Sequence, residues 1–306
     1  MSGLLQFLIV LTLAAHLICM NVCSAGPLLT VWLERRYRRT QDPVANQMGI
    51  QLTTTVLWTF FIGIGFGFLL AGLIWLSGKR EFFDALPAFS HKIWWGVWEL
   101  LTYLAVVVGY LHLWPRARTS AARAYFHRFL AIFAATNLLY HFPPLFTAMA
   151  NYENATPDAA VTPAQFRQII FSHEVMSISA HFLMASIAIC GATVMLLGRR
   201  SALGESKVTW PVIGGARIAL VATAFQFMIG MWVVLKLQPD SQQTVMGGNA
   251  IATGCLVLSI GLSFDLLNRL SSIAFGQVTD KGIRFAVGHM ATIVVLMSAT
   301  LWLSQH

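Results

Sequence analysis

The chain has 306 residues, of which 57% are hydrophobic and only 10% charged, with a mean hydropathy of +0.68. Soluble domains carry roughly 25% charged residues, so a chain this poor in charge cannot cover a globular surface, and lipid must be its main solvent. The net charge of +8 points either to nucleic acid or to a basic membrane face, and the placement of Lys and Arg decides between them.

In chain order, the first apolar stretch has no basic segment before it, and Ser24-Ala25-Gly26 resembles a cleavage site only loosely. Apolar residues resume at Leu28 and run to Leu33, so a retained spanning helix is expected rather than a signal peptide. Further runs reach the roughly 20 residues that cross a bilayer core. The expected spans are roughly 4–33, 52–77, 93–114, 128–149, 166–197, 211–236, 243–268 and 285–304. Connections are short, no repeat period appears, and residues 1–306 read as a single all-α transmembrane bundle of about eight helices. Cys19, Cys23, Cys190 and Cys255 lie inside apolar runs, where small residues pack at helix interfaces. No CxxCH is present, which excludes covalently attached c-type haem, and the cysteines have no zinc-type spacing.

Orientation follows from the basic residues. Alternate connections carry Arg35, Arg36, Arg38, Arg39, then Arg116, Arg118, Arg123, Arg128, then Arg199, Arg200, Lys207, then Arg269, Lys281 and Arg284, with Arg217 just inside the sixth span on the same side. Of the 20 Lys and Arg, only Lys79, Arg80, Lys92, Arg167 and Lys236 fall on the other side. The arginine-rich connections are therefore expected in the cytoplasm and both termini on the outer face of the inner (cytoplasmic) membrane. Topology accounts for the net charge, and no nucleic-acid partner is expected.

Ionisable residues inside spans are costly and mark candidate functional sites. They are His16, Glu99, His112, His141, His173, Glu174, His181, Asp265 and His289. Counting about 1.5 Å per residue from the nearest cytoplasmic arginine puts His16 about 28 Å, Glu99 about 26 Å, His141 about 20 Å and His181 about 27 Å up. Met246 comes out about 34 Å above Arg269, near the outer surface. Imidazole and thioether are the axial ligands of electron-transfer haems, although one isolated buried histidine is more often bonded to a backbone carbonyl. His112, His127 and His289 lie near the inner boundary and read as interfacial. Asp265 is expected to pair with Arg269 at i,i+4.

These residues carry a resemblance to subunit I of the cytochrome bd quinol oxidases. Leu5-Gln6-Phe7 with His16 and Gly26 is similar to that family's first helix, whose histidine ligates a haem of the oxygen-reducing pair. His181-Phe-Leu-Met-Ala-Ser186, ending in Leu-Leu-Gly-Arg199, resembles the helix carrying the low-spin haem b ligand. Val245-Met246-Gly247-Gly248 is similar to the segment supplying the opposite methionine, and Glu99 falls near a glutamate of the third helix. Weaker similarities lie in Gly49-Ile-Gln51 and Ala134-Ala-Thr-Asn137-Leu-Leu.

The departures are equally informative. The family's long quinol-binding loop is replaced by a connection from about Lys236 to Thr244, only one glutamate stands in span three, and no Gly-Arg-Gln-Pro-Trp occurs. His141 has no counterpart and is a candidate substitute ligand. The resemblance thus implies a divergent, shortened relative that holds one or more haem b groups without oxidising quinol in the usual place. It implies His181 and Met246 as ligands of one haem iron, His16 at a second, where His141 is the candidate substitute ligand, and Glu99 as a neighbouring proton group. A membrane subunit partner and an outer-face donor such as a cytochrome c are expected by the same analogy, with oxygen chemistry left open. The competing expectation is a haem-free transporter or assembly protein whose buried histidines carry protons or bind a metal.

Overall fold

A computed structural model describes residues 3–116, 120–150, 152, 160–204 and 207–305; Arg118, counted above toward orientation, lies outside them. Eight helices are long and apolar enough to cross a membrane. They are α1 (Gly3–Thr40), α2 (Pro43–Leu76), α4 (Ser90–Leu113), α5 (Ala121–Ala150), α7 (His173–Leu203), α8 (Trp210–Lys236), α10 (Ala250–Ala274) and α11 (Asp280–Ser304). Short helices α3 (Glu81–Ala85), α6 (Pro163–Ile170) and α9 (Pro239–Gln243) lie between them. The protein is an all-α, multi-pass membrane bundle.

Helix starts follow local chemistry. Asp42 accepts from the Val44 amide with Pro43 behind it, Thr279 accepts from Gly282, and Asn249 accepts from Ile251 and Ala252. The same chemistry divides the expected span 166–197. Thr162 and Gln165 form a capping box that starts α6, and Ser172 caps a new helix by accepting from Val175. His173 and Glu174 therefore sit in the first turn of α7, where a carboxylate meets the positive end of the helix dipole.

The expected span 243–268 also starts differently. Residues Thr244–Gly248 form a π-helical turn in which Met246 (φ −101°, ψ 27°) and Gly247 (φ 124°) leave helical geometry, and α10 begins only at Ala250. The positive φ is open to glycine and strained for other residues. A straight-helix estimate of the depth of Met246 therefore does not apply.

The arginine-rich connections gather at one end of the bundle. Arg199 pairs with Asp280, Arg38 Nη1 donates to the Ser120 carbonyl at 3.3 Å, and Arg217 Nε donates to the Ala274 carbonyl at 3.1 Å. The guanidinium of Arg36 lies 3.8 Å from the Trp210 ring centroid, a cation–π contact between α1 and α8. At the opposite end the Val161 amide donates to Ala88 O at 3.0 Å and Ser241 Oγ to Ser304 O at 2.7 Å.

Helix α1 is the axis, packed against α2, α5, α7 and α11 and buried on every side from Asn21 to Pro27. Pro27 removes the amide that would bond the Cys23 carbonyl. That carbonyl instead accepts from the Tyr103 hydroxyl of α4 at 2.8 Å, which satisfies a group that lipid could not.

Helices α7 and α8 approach most closely at paired glycines. A Cβ on Gly215 would stand 2.5 Å from Gly191 O, and one on Gly191 would stand 2.7 Å from Gly215 O. Backbone cannot yield as a side chain can, so Gly215→Ala should lower stability by roughly 1–3 kcal/mol. Gly288→Ala, with nothing within 4 Å, serves as the control. Thermal unfolding in detergent followed by circular dichroism should show a lowered midpoint for the first variant and none for the second.

Candidate functional site

His16, Glu99, His141, His181 and Met246 all lie in the half of the bundle away from the arginine-rich end. His16, on α1, faces the segment Gly63-Ile-Gly-Phe-Gly67 of α2. Its Nδ1 lies 2.8 Å from the Gly63 carbonyl. A carbonyl only accepts, so Nδ1 carries the proton and Nε2 keeps its lone pair, the arrangement that second-partner hydrogen bonds impose on metal-ligating histidines. A Cβ at Gly67 would come within 3.1 Å of Cε1. The glycine is what leaves room for the imidazole against α2.

His181 stands a little over two turns into α7. Its Nδ1 is buried without a hydrogen-bond partner, a costly state for an imidazole in a dry bundle. The ring faces Gly230 of α8, where an added Cβ would lie 3.8 Å from Cε1. Met246, the expected opposite ligand, lies in the π turn before α10 with 66% of its surface exposed. Its side chain is therefore outside the packed interior of the bundle.

Glu99 and His141 come together across α4 and α5. His141 Nδ1 is 3.2 Å from Glu99 Oε2, but the angle is not that of a hydrogen bond, and both Glu99 Oε2 and His141 Nε2 remain buried without hydrogen-bond partners. They open on a cleft of about 400 Å³ between α4, α5 and α6, whose walls include Lys92, Trp95, Tyr140 and Phe166. His141 thus rests on α4, and His16 on α2; among the described residues no hydrogen bond or ring contact joins the two. Pro143 and Pro144 follow His141 within α5 and free the carbonyls of Leu139 and Tyr140 from their helical amides.

A second buried cluster was not foreseen from the sequence. Glu34 is 4% and His127 1% exposed, and His127 Nδ1 lies 2.7 Å from Glu34 Oε2. The His127 Nε2–H donates to the Tyr110 carbonyl at 2.8 Å, and Arg128 Nε donates to Glu34 Oε1 at 3.1 Å. The Tyr110 ring stacks on the imidazole at 3.7 Å. His127 is thus a core residue rather than an interfacial one. Near the same end, Asp265 accepts from Arg269 at 2.6 Å, the expected i,i+4 pair, and also meets His289 Nε2 at 2.9 Å. His112 ends α4, exposed.

Among the described residues no group of three or more His, Cys, Asp or Glu gathers as an ion site. Haem iron asks less of a protein, because the macrocycle supplies four ligands and single side chains the axial ones. The imidazoles of His16 and His181, each against a glycine and each with a ring nitrogen unpartnered or holding its lone pair, fit that demand.

No family model and no curated protein matches the sequence. In three dimensions the chain is similar to the structure of bd oxidase from Geobacillus thermodenitrificans, with a TM-score of 0.72 at 11% sequence identity. The alignment covers 99% of this chain and 87% of that chain. At this identity the likeness establishes the fold.

Proposed function

We propose that this protein is a b-type haem membrane cytochrome that carries electrons within a respiratory or redox complex. The observation that carries the reading is the pair His16 and His181. They lie on separate helices of a bundle with the bd oxidase fold, each ring set against a glycine with coordinating capacity unspent. Haem, when bound, supplies one-electron chemistry that no side chain provides. The protein's part is to hold and insulate it. His181 and Met246 would hold one haem b, and His16 would hold a second through Nε2. Gly63 O fixes the His16 tautomer. Glu99 and His141 form a carboxylate–imidazole pair able to hold and pass one proton; His141 is the alternative second ligand.

Positive-inside asymmetry supports placement in the inner membrane with both termini outward. The histidines then lie toward the outer face, within reach of an outer donor such as a cytochrome c. A companion membrane subunit follows by analogy with bd oxidase. The connection between α8 and α10 is filled by α9 and the π turn, which leaves no quinol-binding fold there and supports a donor other than quinol at that position. Oxygen reduction belongs to the resemblance and rests on His16 and Glu99.

The haem-free alternative, a transporter or assembly protein, draws on the cleft where the Glu99 carboxylate meets the His141 imidazole, a pair suited to protons. Absorption spectra of the purified protein, oxidised and dithionite-reduced, separate the two. A Soret band with reduced α and β bands is expected; a colourless protein from haem-replete cells contradicts the cytochrome reading.

A further inference from the structure

The cleft between α4, α5 and α6 has a mouth that the haem reading does not use. Lys92 Nζ lies 4.4 Å from the Phe166 ring centroid, held over the aromatic face, and Arg167 follows that phenylalanine on the exposed side of α6. Both line the cleft of about 400 Å³ with Trp95 and Tyr140. Among the described residues neither cation has a carboxylate partner within ion-pair distance, although Glu99 stands in the same cleft. Its carboxylate is turned to His141. Among the described residues, two cations against one carboxylate make the lining of the mouth net positive. The mouth lies at the start of α4 and just before the start of α7, the level at which a spanning bundle meets the headgroup layer. Trp95 and Tyr140 are the amphipathic aromatics favoured at that depth, and the Lys92 ammonium rests over the Phe166 face as a cation–π contact.

We infer that this cleft is a binding site for the phosphodiester headgroup of an anionic membrane phospholipid. Lys92 supplies a point charge and Arg167 a planar fork suited to two phosphate oxygens, while the glycerol and upper acyl carbons lie along the aromatic walls. Free phosphate shares the charge chemistry but gains nothing from the rings.

The test uses the full chain in detergent, delipidated and then titrated with phosphatidylglycerol by native mass spectrometry. Wild type should retain one lipid under activation that strips the rest, and a phosphate-free galactolipid should not be retained. Lys92→Gln and Arg167→Gln should each weaken retention about tenfold, and the double variant should abolish it. An unchanged circular-dichroism melting curve shows that these exposed or half-buried positions have not unfolded the bundle. Retention unchanged in the double variant overturns the site. So does equal retention of the galactolipid, which would make the cleft merely apolar, or displacement of the lipid by inorganic phosphate at equal concentration, which would make it a free-ion site. None of these readouts depends on haem.

Discussion

Replacing His181 by alanine is expected to remove the low-spin haem signal entirely while leaving haem at the His16 site. His181 Nδ1 is buried with no partner, and the imidazole faces a glycine on α8 rather than a side chain, so no other group there is placed to take over ligation. The two sites rest on different helix pairs, α1–α2 and α7–α8, so loss at one should not propagate to the other. Haem content per chain and the reduced-minus-oxidised spectrum check this together. The partner of His181 is tested in the same series. A methionine ligand stabilises ferrous iron relative to a second histidine, so Met246→His should lower the midpoint potential and keep a six-coordinate spectrum. An unchanged potential and spectrum in Met246→Leu would make Met246 a surface residue of the π turn. His173 or His141 would then be the candidate second ligand.

The largest loss of stability is expected from Glu34→Ala. This carboxylate sits 4% exposed between His127 and Arg128. Removing it strands a guanidinium and an imidazole in the packed space between α1, α4 and α5. Breaking a buried pair from one side costs about 3–5 kcal/mol, because the remaining charge is left uncompensated. Asp265→Ala makes the contrast: its side chain is 40% exposed, and exposed pairs contribute about 0–1 kcal/mol. Thermal unfolding of the two variants in one detergent should differ by several degrees or more. Equal midpoints would mean that water reaches Glu34 and that the cluster is a solvated pair.

The contrast between these acids also shows what a lone sequence can carry. Asp265 and Arg269 are four residues apart on one helix, so their pairing is written in their spacing. Glu34 and His127 are 93 apart, and Glu34 adjoins Arg35 and Arg36, so it reads as part of a charged connection. Only the packing of α5 on α1 turns it inward. The eight spans were legible because apolar length is dictated by bilayer thickness. The breaks at Phe171–Ser172 and at Met246–Gly247 were not, because a serine cap or a glycine of positive φ changes direction without interrupting the apolar run. His16 stood out as an ionisable residue inside an apolar span. Its contact with Gly63 and Gly67 was not read, although two glycines one turn apart on α2 are the kind of signal that marks a close approach.

Protohaem held without covalent attachment is the state expected of this bundle. Pyridine haemochrome analysis of the full chain, purified from cells supplied with haem precursor, tests it most directly. At least one protohaem per chain, extractable by acid acetone, is the expected result. Stoichiometry near zero in protein that retains its helical circular dichroism would contradict the claim and leave the histidines to protons or metal ions.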